Sequence, residues 1–521
     1  MIDLFNETSL LALIILPLLG VVLLMLIPST YKDVVRYSAL AISTIVSLIA
    51  LLVYLSFDHS IQGYQFLYTY SWLDIPGVWG EGSGAISLDL GIDGIAALMV
   101  LLTGIVMFTG TIVSWSIKED LKDFFILYFL LLSGVFGVFV SLDMFFFFFF
   151  YELSVLPMYL LIGKWGSSSK FPTFARSKEY SAMKLTLVLV AGSVLIWVAI
   201  IAIFIQANLG TFNILAIEKV ISENLSSDFQ KIAFPLLLIG FGILAGLWPF
   251  HTWSTDGHVS APTAVSMVHA GVLMKLGAFG IIRIGMLLLP EGAQFWMPLL
   301  IVLGAVNVIY GAISAMGQTD LKYVIGYSSV SHMGYVLMGI ATLHYLGLTG
   351  AVLQMFSHGV MTALFFAVVG MIYERTHTRD SLVLQGLAKK MTVTTILFGI
   401  AGLTSLGLPG LSGFVAELLI FMGIFQSYGF GGIILGAFAV LGAAITAIYI
   451  LRLIAKSFFG PISTQWEDLT DSNLRERFAA GILVLTILLI GLWPYPFVEV
   501  IKHGVDPVSY THLTLPTIYS V

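Results

Sequence analysis

The sequence predicts an all-α polytopic membrane protein with about 14 transmembrane helices. Of its 521 residues, 59% are hydrophobic and only 10% are charged, whereas about a quarter of the residues in a soluble domain carry a charge. The mean hydropathy is +1.00. Apolar segments of about 20 residues recur along nearly the whole chain, and each can cross a hydrocarbon layer about 30 Å thick as a helix. β-Strands do not explain apolar runs of this length.

The predicted spans follow one another without a long polar linker, so residues 1–507 are expected to form a single transmembrane unit. The first apolar segment, Leu10–Ile27, follows an acidic start and lacks the basic region of a cleaved signal, so it is interpreted as the first span. The spans are centred near Leu18, Ser47, Met99, Leu131, Ser154, Ser193, Phe241, Leu276, Val306, Val336, Leu364, Gly410, Ala443 and Leu488.

The distribution of basic residues predicts the orientation in the membrane. If the N-terminus faces outward, the odd-numbered loops hold about 17 of the 23 Lys and Arg residues, with Lys322 counted among them. Because basic loops tend to remain in the cytoplasm, the loop from Lys164 to Lys178 is expected to be cytoplasmic. Both termini are then expected outside the cell, with the chain in a bacterial inner membrane.

The longest outer loop, from His59 to Leu88, carries Trp72, Trp79 and several glycines. Tryptophan is enriched where a membrane meets water. We therefore expect this loop to lie along the interface as a cap anchored by aromatic side chains.

Composition excludes several classes of function. The net charge of -6 is spread over the loops without a basic cluster, so a nucleic-acid partner is not expected. The chain has no cysteine, which excludes disulfides, thiolate iron-sulfur ligation and a catalytic thiol. It also lacks HExxH, Walker and GxGxxG motifs. We expect no metal or cofactor in this chain, so its energy source is an ion gradient or a partner.

Two spans carry proline and glycine in their interiors, LAGLWPFHTW around Pro249 and SLGLPGLSGFVAE around Pro409. Proline removes a backbone donor and clashes with the preceding turn, so both helices are predicted to kink or unwind there. The interruptions fall in the seventh and twelfth spans, a pattern typical of two related five-helix repeats. Two simple proline kinks are the alternative.

Three charged residues lie inside apolar segments: Glu152, Lys275 and Glu417. A charge at the centre of a spanning helix costs about 2.5 to 3.5 kcal/mol, so such residues are interpreted as functional by default. Together they favour a path for protons or cations. The alternatives are a structural ion pair for Lys275, a neutral hydrogen-bonded acid for Glu152 and a helix-dipole interaction for Glu417.

Histidines are spread over the spans near Lys275, and imidazole can relay protons near neutral pH. His332 and His358 are the preferred candidates for a relay, although a single buried histidine is more often structural. The five histidines in this part of the chain are His251, His258, His269, His332 and His358.

These residues lie in motifs that resemble the antiporter-like membrane subunits of respiratory complex I, the proton-translocating NADH-quinone oxidoreductase. The resemblance covers about residues 5–505. It rests on YELSVLPMYLLIGKWG, WPFHTWSTDGHVSAPTAVSM, AGVLMKLGAFGIIR, DLKYVIGYSSVSHMGY, SHGVMTALFFAVVG and LPGLSGFVAE.

The resemblance implies two inverted five-helix repeats, at about 123–290 and 295–459, and a line of buried charges that moves protons during quinone reduction elsewhere in the complex. It implies that Glu152, Lys275 and Glu417 carry protons in the fifth, eighth and twelfth helices, with His332 and His358 between them. The implied partners are other membrane subunits of complex I, including neighbouring antiporter-like subunits, and the lipid bilayer.

One position departs from the family pattern. The family usually has a lysine shortly before the PFH turn of the seventh helix, as a partner for the fifth-helix glutamate, but this chain has Leu244 there. Lys184 and His269 are candidates to replace that cation for Glu152. Otherwise the uptake side of the path is altered.

Two further readings remain open. A subunit of a multi-subunit sodium/proton antiporter or of a membrane-bound hydrogenase shares most of these motifs, and a separate solute transporter could also use broken helices and buried charges.

Residues 508–521 form a threonine-rich tail that resembles translated adapter DNA. We expect that tail to be non-native and without function.

Overall fold

A computed structural model describes residues 2–75, 84–170 and 175–514. The first part of the chain consists of long apolar helices, as predicted. Helix α1 precedes α2, and after a β-hairpin the chain continues through α3 to α6. Their bounds are α1 Ile2–Leu26, α2 Lys32–Leu55, α3 Gly94–Val113, α4 Leu121–Val140, α5 Met144–Trp165 and α6 Lys178–Ala207, with a short 3₁₀ turn at Ser114–Ser116.

The predicted interfacial loop is an antiparallel hairpin over most of its described length, with strands β1 (Gln65–Ile75) and β2 (Gly84–Ile92). Trp72 stacks on Phe145 of α5, with ring centroids 5.7 Å apart. Trp72 therefore contacts the helix bundle, and the interfacial position of the loop stays a prediction. Trp79 lies outside the described residues. A second, two-residue hairpin pairs β3 (Ser169–Lys170) with β4 (Ala175–Arg176).

The seventh span is interrupted where proline and glycine predicted it. Two short helices, α7 (Ile214–Glu218) and α8 (Ile221–Asn224), lead into α9 (Ser227–Ala245), and the chain resumes as α10 (Thr252–Ser260). Gly246 ends α9 at φ 78°, a conformation that glycine adopts without steric strain.

The side chain of Asn307 supports this break. It lies in the ninth span and is fully buried. Its Oδ1 accepts from Trp248 N at 2.5 Å, and its Nδ2 donates to Gly246 O at 2.9 Å. Backbone groups freed inside a membrane protein need such partners, so the unwound segment is held in a defined conformation.

The eighth span is one continuous buried helix with two wider turns. It runs through α11 (Thr263–Val268), a π-helix at His269–Leu273, α12 (Met274–Gly280) and a second π-helix at Ile281–Met286. π-Turns are rare and occur frequently at functional sites. Hydrophobic periodicity does not predict them.

The remaining helices complete the predicted order of spans. Each predicted span centre falls in a helix except Gly410, which lies in the break between α16 and α17. The bounds are α13 Pro290–Met316, α14 Leu321–Ala341, α15 Tyr345–Thr376, α16 Thr392–Ser405, α17 Ser412–Gln426, α18 Gly429–Phe458, α19 Leu474–Leu492 and α20 Tyr495–Thr514, with 3₁₀ turns at Leu387–Lys389 and Thr464–Trp466.

Among the described residues, 12 helices are long and apolar enough to cross a membrane, and α19 with α20 forms a further pair bent by 78°. The short helices α16 and α17 fill the position of the predicted broken twelfth span. The helical fold class and the two interruptions are therefore confirmed, whereas the inverted repeats stay a prediction. Residues 508–514 of the predicted tail continue α20, and residues 515–521 lie outside the described residues.

Burial divides the helices into a centre and a periphery. The eighth span and α15 are fully buried in their apolar windows, and α14 is almost so, whereas only 28% of the window in α2 and 33% of that in α18 is buried. The exposed helices carry isolated large apolar side chains such as Leu55 and Phe430, as expected of helices facing lipid or a partner. The polar residues of the three central helices are consequently enclosed by the chain itself.

The basic loops meet at one end of the bundle. Lys32 Nζ donates to Lys118 O at 2.8 Å, and Lys178 Nζ donates to Lys164 O at 2.9 Å. Lys322 was counted with these loop cations, and that assignment was wrong. It lies in the first turn of α14 and is buried, because its side chain points inward from the helix end.

Gly277 lies where the eighth span packs closely against α9, so its replacement tests that contact. A Cβ at this position would overlap the backbone of Phe241 and Ala245. We expect Gly277→Ala to destabilise this contact by about 1–3 kcal/mol, since overpacking forces the helices apart. A lower thermal midpoint and less subunit in the membrane would show it.

Gly481→Ala is the matched control, because a Cβ at this helical glycine has no atom within 4 Å. Equal midpoints for the two variants would contradict close contact between α9 and the eighth span.

Candidate site: a line of buried protonatable residues

Lys275 is fully buried in α12, directly after the first π-turn. Its Nζ donates to the backbone carbonyl of Ala270, within that turn, and lies 2.7 Å from His358 Nδ1 in α15. No carboxylate oxygen of the described residues lies within 4 Å of Nζ. The lysine is therefore held by neutral groups, and its amine lies within hydrogen-bond distance of an imidazole.

His358 continues the line toward a second histidine. Its ring centroid lies 5.3 Å from that of His332 in α14, with the planes inclined by 38°. The Nε2 atom of His358 is buried and has no hydrogen-bond partner among the described residues. Buried polar atoms are normally satisfied, often by ordered water, so a water molecule bound to this atom would complete its hydrogen bonding.

His332 contacts the carboxylate of Glu417. The Nδ1 atom lies 3.5 Å from Glu417 Oε1 and 3.2 Å from Gln354 Nε2, while Nε2 lies 2.9 Å from Ser405 Oγ. His332 thus has polar partners on both sides of its ring, which is the arrangement a proton relay requires.

The second broken helix positions Glu417. The chain leaves α16 after Ser405 and begins α17 at Ser412, so Glu417 lies in the second turn and is buried. At Gly407, where φ is 70°, a Cβ would lie 2.8 Å from Glu417 Oε2. A larger residue there would adopt a strained backbone conformation and displace the carboxylate, so the backbone of the break and the position of Glu417 depend on each other.

Hydroxyl groups extend the polar region around His332 and Glu417. Tyr449 OH donates to Ser328 Oγ at 2.8 Å, and Ser357 Oγ donates to Ser412 Oγ at 2.7 Å. Hydroxyls both donate and accept, so they can pass a proton or hold water.

Glu152 is separate from this line. It is half-buried in α5, and its Oε1 has no hydrogen-bond partner among the described residues. Its carboxylate lies beside the Ser193 hydroxyl. No basic nitrogen of the described residues lies within 4 Å of it, and Leu244 is buried in α9. The departure at Leu244 is therefore not compensated by a neighbouring cation.

Neither predicted replacement contacts Glu152. Lys184 Nζ lies 2.8 Å from Asp256 Oδ2, which also lies 3.2 Å from Arg176 Nη1. Tyr323 OH donates to the other oxygen of Asp256 at 2.9 Å. Asp256 is buried and was missed by the sequence reasoning. The only sequence feature that pointed to Asp256 was its position in the polar segment after Pro249.

The other candidate histidines lie apart from the contacts of Lys275. The ring of His269 is 5.3 Å from Trp253 and 4.1 Å from His258, and both of its nitrogens lack hydrogen-bond partners among the described residues. His251 contacts Tyr310 and also has both nitrogens unpaired in the described structure. In the same residues, no group of three His, Asp or Glu is arranged to hold a metal ion.

Comparisons with known proteins agree on one family. A family model described as NADH:quinone oxidoreductase/Mrp antiporter, TM, matches residues 141–446. NAD(P)H-quinone oxidoreductase chain 4 2 of Thermosynechococcus vestitus is 36% identical over 490 residues, covering 92% of this chain and 88% of the relative. NADH-quinone oxidoreductase subunit M of Rickettsia prowazekii is 33% identical over 498 residues, covering 95% and 97%.

Solved structures share the fold. A chain of respiratory complex I from Thermus thermophilus with bound NADH matches with a TM-score of 0.83 and 25% identity, covering 96% of this chain and 98% of that one. A chain of the Mrp complex from Dietzia sp. matches with a TM-score of 0.81 and 20% identity, covering 97% and 98%. At the lower identity the likeness concerns the fold alone.

The shared carboxylate of Asp256 yields a stability prediction. We expect Asp256→Asn to destabilise the protein by roughly 1–3 kcal/mol, because it leaves two cations facing a neutral group. Lys184→Met should have a smaller effect, since Arg176 still pairs with the aspartate. The thermal midpoint of the purified assembly measures both.

Glu223→Gln, which changes an exposed acid, is the control. If Asp256→Asn is as stable as that control, Asp256 does not anchor the two cations.

Proposed function

The chain belongs to the NADH:quinone oxidoreductase/Mrp antiporter family, and we propose that it moves protons across the membrane along Lys275, His358, His332 and Glu417. It is a proton-translocating membrane subunit of NADH-quinone oxidoreductase. The single observation that carries the proposed path is the contact at 2.7 Å between Lys275 Nζ and His358 Nδ1, which joins a buried amine to the histidines leading to Glu417.

The main alternative is a subunit of a multi-subunit sodium/proton antiporter or a membrane-bound hydrogenase. The relatives named as oxidoreductase subunits are 36% and 33% identical, whereas the Mrp chain is 20% identical and shares the fold. The closer sequence similarity favours the oxidoreductase. Copurification with quinone-reducing subunits would separate the two, since an antiporter does not need them.

The proposed transfer runs from the amine to the carboxylate. A proton on Lys275 passes to His358, then through water to His332, and from there to Glu417. A conformational or electrostatic change transmitted from neighbouring subunits drives the step. Moving one charge against 100 mV requires about 2.3 kcal/mol, and each tenfold change in the proton affinity of Lys275 supplies about 1.4 kcal/mol.

The membrane setting follows the distribution of charge. We propose that the end formed by Lys32, Lys118, Lys164 and Lys178 faces the cytoplasm of a bacterial cell and that both termini lie outside. Neighbouring membrane subunits, including other antiporter-like ones, and lipid would cover the exposed apolar helices. No redox group is needed in this chain.

Replacement of Lys275 tests the proposed path. We expect Lys275→Ala to abolish proton movement by this subunit and to depress coupled quinone reduction, because no other buried amine in the described part of the chain contacts His358. Proton translocation into sealed vesicles that hold the assembled complex, followed with a pH-sensitive dye, gives the measurement.

Lys390→Ala serves as the control, since this lysine is exposed. Undiminished proton movement in an assembled Lys275→Ala complex would reject the assignment.

The two buried glutamates should differ in effect. Glu417→Gln removes the acceptor beside His332 and should slow coupled quinone reduction strongly, by about tenfold or more. Glu152→Gln should have a smaller effect, because Glu152 has no cation within 4 Å among the described residues. The rates are compared at equal amounts of assembled complex.

Glu223→Gln, at an exposed acid away from this path, sets the baseline. A loss for Glu152→Gln as large as that for Glu417→Gln would show that the uptake side still depends on Glu152.

A further inference from the structure

Four Lys or Arg side chains are buried in the described part of the chain. Two of them form ion pairs with carboxylates, and two do not. Arg283 Nη2 lies 2.7 Å from Asp93 Oδ1, and Arg379 Nε lies 3.1 Å from Asp320 Oδ2. The other two, Lys275 and Lys322, have no carboxylate within 4 Å among the described residues. A lysine held by neutral acceptors can give up its proton, whereas an ion pair favours the charged form.

The contacts of Lys322 resemble those of Lys275. Its Nζ donates to the backbone carbonyl of Ala261 at 2.7 Å and to Ser266 Oγ at 3.2 Å. The acid nearest to Lys322 in sequence, Asp320, forms an ion pair with Arg379. Both unpaired lysines thus contact one backbone carbonyl and one neutral side chain.

A cavity of about 210 Å³ leads to Lys322 from the end of the bundle that carries the basic loops. At its mouth lie Ser116, Tyr373 and Glu374, which are exposed, and its inner wall includes Lys322 and the buried Ala261 and Ala264. A cavity of this volume holds several water molecules. Water can therefore reach a buried amine without passing Glu152.

Beyond Lys322, the next protonatable groups are the paired histidines. The Ser266 hydroxyl that accepts from Lys322 donates to the backbone carbonyl of His258 at 2.8 Å. The His258 ring lies within electrostatic range of both Lys322 and Lys275, and its centroid is 4.1 Å from that of the His269 ring, with the planes inclined by 54°. Its Nδ1 and both nitrogens of His269 have no partner in the described residues. These three nitrogens are therefore available for hydrogen bonds to water.

We propose that Lys322 is the proton acceptor at the inner end of this cavity and that His258 and His269 pass its proton to Lys275. The inference rests on the proposed function, because Lys275 must be a proton carrier for the uptake route to matter. A proton from the bulk phase, relayed by water in the cavity, binds the neutral amine of Lys322, and the ammonium releases that proton through water to His258 and His269. When a neutral Lys275 receives it, Lys322 and both histidines have returned to their starting states and Lys275 carries the proton.

A purely structural role for Lys322 is a separate hypothesis. Ala261 follows the end of α10, and a cation that bonds the last carbonyls of a helix stabilises it. Arginine keeps the charge and the donor groups but does not release its proton in proteins. Exchange of lysine for arginine therefore separates proton transfer from capping.

The experiment compares Lys322→Arg and Lys322→Met in the assembled complex in sealed vesicles. Both should slow coupled quinone reduction and the associated proton movement by about tenfold or more, since a positioned acid–base group contributes about 10²–10⁴ to a transfer. Lys390→Arg and Lys390→Met, at an exposed lysine, should keep wild-type rates. Lys275→Ala is measured in parallel.

The outcomes distinguish the two proposals. If Lys275→Ala stops proton movement while both Lys322 variants keep wild-type rates, the uptake route is overturned and the proposed function stands. A wild-type rate for Lys322→Arg with a loss for Lys322→Met also overturns it, because that pattern assigns Lys322 to capping. Wild-type pumping by Lys275→Ala overturns both proposals.

A second variant decides the matter if the Lys322 variants do not assemble. Ser116→Trp places a bulky ring at the mouth of the cavity, and Ser116→Ala leaves it open. The uptake route requires slower proton movement in Ser116→Trp than in Ser116→Ala. Equal rates would overturn it.

Discussion

A buried lysine with no carboxylate beside it constrains the rest of this structure. Lys275 lies in a fully buried span, and the described residues within reach of its amine are the carbonyl of Ala270 and the imidazole of His358. An isolated charge is expensive at this depth. The π-turn before it and the histidines of α14 and α15 provide the polar contacts, so the amine can both hold a proton and lose it.

The polar contacts of the line through Lys275 continue toward Glu417 but are interrupted toward Glu152. Toward Glu417 each step has a contact, because the broken twelfth span brings Ser405 and Glu417 beside His332. Toward Glu152 the chain has Leu244 in α9 and no neighbouring cation within the described structure. The proposed uptake route begins at a separate cavity, whose described lining residues include Lys322 but not Glu152.

Much of this arrangement could be predicted from the sequence. Charges in apolar segments identify Lys275, Glu152 and Glu417, and proline with glycine identifies both breaks, because these signals are local. The hairpin at Gln65–Ile92 was missed since its turn signals lie in a loop that looked interfacial. The roles of Asn307, Asp256 and Lys322 depend on contacts between helices distant in sequence, and a lysine at a helix end is ordinarily a loop cation. Which acid Lys184 pairs with could not be read from spacing, because several helix faces were open to it.

The number of protons translocated per quinone reduced by an assembled complex carrying His358→Phe tests the central claim most directly. This substitution interrupts the line between Lys275 and His332 while both terminal charges, Lys275 and Glu417, remain in place. If protons follow the line, the ratio falls below that of the wild type or coupled turnover stops. A wild-type ratio at a wild-type rate would contradict proton transfer through Lys275, His358 and His332.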